Sequence, residues 1–153
     1  MTVSFTLNGR QVAAQADPSR LLLDVLRNEF ALTGARYGCG EEQCGACVVL
    51  VDGAPVYACG REIGGVAGRS VETVEGLGGP DRPSLLQQAF VAEQAGQCGY
   101  CLSGMLMAAT ALLGRVARPS RAEIVAALDP HLCRCGAHPR IVRAVERAAG
   151  ERI

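Results

Sequence analysis

The chain has no tryptophan, and aromatic residues make up only 4% of it. A core without large rings buries little apolar area per residue, so packing alone is a weak support for the fold. An excess of charge is also missing: fifteen basic residues face fifteen acidic ones. That balance argues against a nucleic-acid partner or an anionic membrane surface. No run of about eighteen apolar residues occurs, so no direct membrane insertion is expected. The opening residues, MTVSFTLNGR, lack the basic, apolar and small-residue order of an export signal. There is no Gly-x-Gly-x-x-Gly after a strand, no phosphate-binding loop, and no nucleophile beside a convincing base. A nucleotide, flavin or nicotinamide site is therefore not expected, nor a catalytic centre of the chain's own.

What is present is cysteine, eight in two groups of four. The first group is Cys39-x4-Cys44-x2-Cys47, with Cys59 following after eleven intervening residues. That asymmetric spacing is the plant-type [2Fe–2S] ligand pattern, and it is unusual for zinc. The second group is Cys98-x2-Cys101, thirty-one residues, then Cys133-x-Cys135. Taken alone, this quartet suits a second [2Fe–2S] cluster or a tetrahedral four-cysteine zinc site. Disulfides fit poorly, because an export signal is lacking and neighbouring Cys-x-Cys thiols are awkward to bridge. Either metal would cross-link the chain and contribute folding free energy to a core of small side chains.

The local signals order these cysteines along an α+β chain. Residues 3–7 alternate as a strand, Asn8-Gly9 is a hairpin turn, and residues 11–15 return. Asp17 or Ser19 is predicted to cap a helix, with Pro18 in its first turn and Leu21, Leu22, Val25 and Leu26 on its buried face. Gly38, Gly40, Gly45 and the small Ala46 suit a loop wrapped tightly around a cluster. Residues 48–51 form a buried strand, Asp52-Gly53 a second hairpin turn, and residues 56–58 lead back to Cys59. Ser70–Val74 is a candidate further strand. Strand, strand, helix and hairpin resemble a β-grasp sheet packed on one helix. Six glycines and two prolines between residues 64 and 83 mark a change of composition. The expected division is a ferredoxin-like domain over 1–76 and a helical domain over 77–153.

The second half reads as four helices. Ser84-x-x-Gln87 is a capping box for a helix ending at Gly96, with Leu85, Leu86, Ala89 and Phe90 facing inward. Ser103 is expected to cap a helix that stops at Gly114. Ser120-x-x-Glu123 caps a third, ending before Asp129-Pro130. Pro139 opens a fourth, with Ile141, Val142, Val145 and Ala148 on its apolar stripe. Both cysteine pairs fall at inter-helix turns, so an up-down four-helix bundle would gather them at one end.

The stretches Gly38-Cys-Gly through Cys-Gly-Ala-Cys47, Asp52-Gly53, Cys59, Val74-Glu-Gly-Leu77, Gln97-Cys-Gly-Tyr-Cys101 and Leu132-Cys-Arg-Cys135 occur in one order and spacing. In these the chain resembles, over essentially its whole length, the small iron–sulfur subunit of the molybdenum hydroxylases, the xanthine oxidase family. The resemblance implies two [2Fe–2S] clusters, held by Cys39, Cys44, Cys47 and Cys59 and by Cys98, Cys101, Cys133 and Cys135. It implies that the second lies next to a molybdopterin cofactor in a large partner subunit, with Cys135 and Gln97 as contacts to the pterin. The implied function is electron transfer: from that centre through both clusters to an external acceptor, cytochrome c or a flavin subunit.

Two departures narrow the resemblance. Many members have Gly where Glu42 stands, and Thr-Gly-Tyr where this chain has Gly136-Ala137-His138. With Gln43 and Leu102-Ser103-Gly104, these look like the branch oxidising N-heteroaromatics or aldehydes, such as isoquinoline oxidoreductases and nicotinate dehydrogenases. A left-handed residue at position 42 is easy for Gly and costly for Glu. The rival reading is a free-standing two-cluster ferredoxin, which neutral net charge disfavours because soluble shuttles often use charge steering. The expected location is the cytoplasm, with membrane association or export only through partner subunits. Among the remaining residues, His131 and His138 are surplus to eight thiolates. Met105 and Met107 read as core filler, Glu41 and Glu42 as solvated. Arg134, between two cysteines, suits either a solvated charge or compensation of an anionic cluster.

Overall fold

The structure, a computed structural model, describes residues 1–150; residues 151–153, the end of the expected second domain, lie outside it. Strands β1 (Val3–Leu7) and β2 (Arg10–Ala14) form a hairpin. Its turn is Asn8-Gly9, both left-handed at φ 48° and 80°, which matches the right-handed twist of the strands. Helix α1 (Leu22–Asn28) follows, then the long first-cysteine loop, then β3 (Val48–Val51), β4 (Ala54–Tyr57) and β5 (Ser70–Glu72). The five strands make one sheet in the order β2-β1-β5-β3-β4, with β1 and β5 parallel and the other pairs antiparallel. One face packs on α1: Val3, Phe5 and Leu7 alternate inward from β1 against Leu22, Val25 and Leu26. Phe5 and Phe30 meet edge to face at 5.9 Å.

Helix α1 begins later than the sequence suggests. Asp17 spends its carboxylate on the N–H and hydroxyl of Ser19, a local turn that competes with helix initiation. Leu21 pairs with Glu62 as an isolated bridge and is 43% exposed, so the buried face is Leu22, Leu23, Val25 and Leu26.

Helices α2 (Leu85–Ala92), α3 (Leu102–Arg115), α4 (Arg121–Leu128) and α5 (His138–Gly150) form the second half. Both capping boxes close in both directions, at Ser84 with Gln87 and at Ser120 with Glu123. Three helix details differ from expectation. Leu85 is exposed rather than inward. Helix α2 stops before Gly96 because Gln94 takes φ 49°, while the N–H groups of Ala95 and Gln94 reach back to the carbonyls of Phe90 and Val91. That is a Schellman ending built on a non-glycine residue. Ser103 lies buried within α3, which starts at Leu102 and runs through Gly114 to Arg115.

The two halves share packing. Met107 and Ala111 of α3 bury Val48 and Leu50, the β3 side chains on the sheet face away from α1. All four β3 residues are therefore buried, two against each neighbour. Glu75, just past β5, accepts from the N–H of Gly34 at 2.7 Å and from the Thr73 hydroxyl at 2.6 Å, tying the chain between the halves to the start of the cysteine loop.

Candidate metal centres

Cys39, Cys44 and Cys47 sit on the loop between α1 and β3, and Cys59 follows β4. Since β3 and β4 are antiparallel neighbours, Cys47 and Cys59 are brought side by side at the same end of the hairpin. The N–H groups of Glu41, Gln43 and Cys44 all point at Cys39 Sγ, at 3.4, 3.2 and 3.4 Å. Those of Glu41 and Gln43 do most to lower the Cys39 thiol to about 7. Cys47 is the opposite case: burial pushes its thiol up to about 12. The close approach that wraps the loop needs glycine at Gly38, where a Cβ would fall 2.6 Å from Cys44 Sγ.

The second quartet has the same design. Cys98 and Cys101 fall between α2 and α3, and Cys133 and Cys135 between α4 and α5. The Tyr100 N–H donates to Cys98 Sγ at 3.5 Å, and the Ala137 N–H to Cys133 Sγ at 3.4 Å. The first of these lowers the Cys98 thiol, with the Cys135 side chain adding to it. Burial pushes Cys101 up to about 12. For Cys133 burial acts upward, but the N–H of Ala137, the Cys101 thiol and the N–H groups of Cys135 and Gly136 together bring it down.

In both quartets the sulfurs meet in pairs: Cys39 with Cys44, Cys47 with Cys59, Cys98 with Cys135, and Cys101 with Cys133. All eight are free thiols. Among the described residues no three His, Cys, Asp or Glu side chains close on the position of a single ion. Paired sulfurs suit a two-iron cluster with two thiolates on each iron, whereas a structural zinc gathers four donors on one point. Buried thiols such as Cys47 and Cys101 ionise only beside strong positive charge, which bound iron would supply. The donor sets therefore fit [2Fe–2S] chemistry.

Gln97 donates from Nε2 to the Cys135 carbonyl at 3.2 Å, and Gln97 is exposed, so this pair lies together at the surface. His131 is 4% exposed and packs against the first loop: a Cβ at Gly45 would fall 2.3 Å from its Nδ1. His138 Nε2 donates to the His131 carbonyl at 3.1 Å, which fixes the proton on Nε2 because a carbonyl only accepts. Met105 and Met107 are fully buried. Glu41 and Glu42 are exposed, and Glu42 does hold the left-handed conformation, at φ 57°. Arg134 is exposed and forms no hydrogen bond or ion pair among the described residues.

Contacts between the two loops were not legible in the sequence. The Leu132 N–H donates to the Cys44 carbonyl at 3.0 Å, joining a residue next to Cys133 to a cysteine of the first quartet. Arg36, three residues before Cys39, donates from Nη1 to the Gly99 carbonyl and lies 5.3 Å over the Tyr100 ring. Tyr100 in turn donates its hydroxyl to the Tyr37 carbonyl. The only local hint is that Gly99 and Tyr100 separate two cysteines.

Sequence comparison divides the chain in the same way as the sulfurs. Residues 5–69 match the 2Fe-2S iron-sulfur cluster binding domain, and residues 73–146 match the [2Fe-2S] binding domain. A subunit of the nicotinate dehydrogenase of Pseudomonas putida is 49% identical over 151 residues, covering 99% of this chain and 96% of that one. The alpha chain of isoquinoline 1-oxidoreductase from Brevundimonas diminuta is 46% identical over 150 residues, covering 97% and 98%. Among solved structures, a chain of quinoline 2-oxidoreductase from Pseudomonas putida 86 superposes with a TM-score of 0.93 at 37% identity, covering 98% of this chain and 94% of that one.

Proposed function

Because the chain belongs to the family of small [2Fe–2S] subunits of the molybdenum hydroxylases, we propose that Cys39, Cys44, Cys47 and Cys59 hold its first cluster and Cys98, Cys101, Cys133 and Cys135 its second. The chain is the electron-transfer subunit of an oxidoreductase complex. When bound, a molybdenum centre supplies the two-electron oxidation and two-iron clusters accept electrons one at a time. The residues of this chain hold the thiolates in pairs and aim N–H dipoles at the sulfurs, which tunes the potential of each centre. They also keep the two loops in contact through the Leu132-to-Cys44 hydrogen bond. The single observation that carries the assignment is that the eight sulfurs meet in four pairs, with amide donors aimed at Cys39, Cys98 and Cys133.

Gln97 and Cys135, together at the surface, form the face toward the molybdopterin of a large partner subunit. Two of the relatives are named for nicotinate and isoquinoline, which supports an N-heteroaromatic substrate in that partner. The onward acceptor in this reading is a cytochrome c or a flavin subunit. In this reading the boundary between the two domains lies between residues 76 and 77, a division supported by the gap between the short helical turn Val74–Gly76 and α2. No helix among the described residues is long and apolar enough to cross a membrane.

Iron and acid-labile sulfide should each come to about four per chain, the content of two clusters. Dithionite should develop two distinct rhombic EPR signals, and Cys98→Ser should abolish or alter only one. Zinc in place of iron, or one signal in the intact protein, would refute the ligand assignment. Native purification should recover the chain with a molybdenum-containing large subunit; recovery of a fully active 16.0 kDa monomer would favour the free ferredoxin instead.

A further inference from the structure

The reduced form of a four-thiolate [2Fe–2S] centre carries one more negative charge than the oxidised form, so a nearby fixed cation favours reduction. Two arginines are candidates at the second centre. Arg134 lies between Cys133 and Cys135, but it is exposed and unpartnered among the described residues, so water and salt screen it. Arg36 comes from the other half of the chain. It is half-buried, and its guanidinium is held twice: by the Gly99 carbonyl and by the face of Tyr100. Both partners lie between Cys98 and Cys101, and the Tyr100 N–H already donates to Cys98 Sγ. A cation held at two points loses less of its effect to motion than a free one. Its backbone is fixed as well, through the Arg36 N–H to the Ala46 carbonyl at 3.0 Å in the first loop.

We propose that Arg36 is a positioning and charge-compensating residue for electron transfer: reaching from the first-cluster loop to the Gly99-Tyr100 segment, it makes the second centre easier to reduce. The arrangement is reciprocal, since Tyr100 donates its hydroxyl back to the Tyr37 carbonyl. The cation bonded to the second loop is thus anchored by the first, and neither loop can shift without moving it. A molybdenum-side centre raised in this way takes an electron more readily from its donor. Lys would keep the charge but lose the planar stack on Tyr100.

This inference rests on the ligand assignment above. The experiment is an EPR-monitored redox titration of the cluster-loaded complex, with the two signals assigned through Cys39→Ser and Cys98→Ser. Wild-type protein that lacks two [2Fe–2S] signals sinks the assignment itself. Given both signals, Arg36→Gln should disfavour reduction of the second centre about threefold, about 30 mV at 59 mV per decade for one electron. The first centre should move less. Arg36→Lys should restore most of the shift. Tyr100→Phe, which removes the hydroxyl but keeps the ring and the cation, should leave the second potential close to wild type. An unmoved second potential in Arg36→Gln, equal movement of both centres, or an equal shift in Tyr100→Phe would each overturn the proposal. Arg36→Met provides a second neutral variant should Arg36→Gln not assemble. If neither neutral variant takes up the second cluster while Arg36→Lys does, Arg36 serves assembly and the proposal fails.

Discussion

Glu42 holds φ 57° in a loop where glycine would meet no steric penalty. A left-handed L-residue costs roughly 1–2 kcal/mol, partly offset by the greater freedom glycine has when unfolded. Glu42→Gly should therefore stabilise the cluster-loaded chain by up to about 1 kcal/mol in denaturant melts. Gly45 shows the converse. It combines φ 78° with a Cβ position 2.3 Å from His131 Nδ1, so Gly45→Ala adds backbone strain to overpacking. A loss of about 3 kcal/mol is expected, and His131→Ala should relieve only the steric part. At this scale the cysteine groups stood out in the sequence because cysteine spacing within a loop is a local pattern. Arg36 was not readable, because its Gly99 partner lies 63 residues away and nothing in the intervening chain signals the contact. His131 likewise looked surplus as a ligand, and its packing against Gly45 had no signature in the sequence.

The secondary-structure elements were legible where side chain and backbone signals agree. The boxes at Ser84 and Ser120 open α2 and α4 where the sequence places them, since each satisfies amide groups within its own first turn. Ser84→Ala should cost about 1 kcal/mol, measured by chemical denaturation. Hydrogen bonds from the Ser120 N–H and hydroxyl hold the Glu123 carboxyl below its usual value. A depressed folded-state value means that this contribution is present above the unfolded pKa and lost as pH falls through the folded one. Wild type and Glu123→Gln should therefore converge in stability as a pH series enters the acid range below about 4. Where signals competed, the sequence misled. Asp17 caps its own turn rather than α1, and Gln94 ends α2 in a conformation usually left to glycine. Gln94→Gly should raise stability by about 1 kcal/mol for that reason.

Across the whole molecule, the grasp-like sheet and the helical bundle each followed from their own periodicities. How they join did not. Periodicity marks Met107 as buried but cannot say that its neighbours are Val48 and Leu50 in the other half. Met107→Ala should cost about 2–5 kcal/mol, and it should separate the unfolding of the sheet from that of the bundle in differential scanning calorimetry. Basic charge is supplied entirely by arginine, for the chain contains no lysine. Exposed pairs such as Arg69 with Asp52 and Arg121 with Glu146 contribute little to stability. Arg36 differs because its setting, between two cysteine-bearing loops, gives its charge something specific to act on.

The buried outer flank of β3 sets a limit on dissection. A fragment ending at residue 76 would keep its cysteine loop and hairpins yet strip the cover supplied by Met107 and Ala111 from Val48 and Leu50. Two aliphatic side chains would then face water on an otherwise folded sheet, inviting the fragment to self-associate. Polar replacements at those two positions, rather than a shift of the cut site, would be the route to a well-behaved miniature carrier.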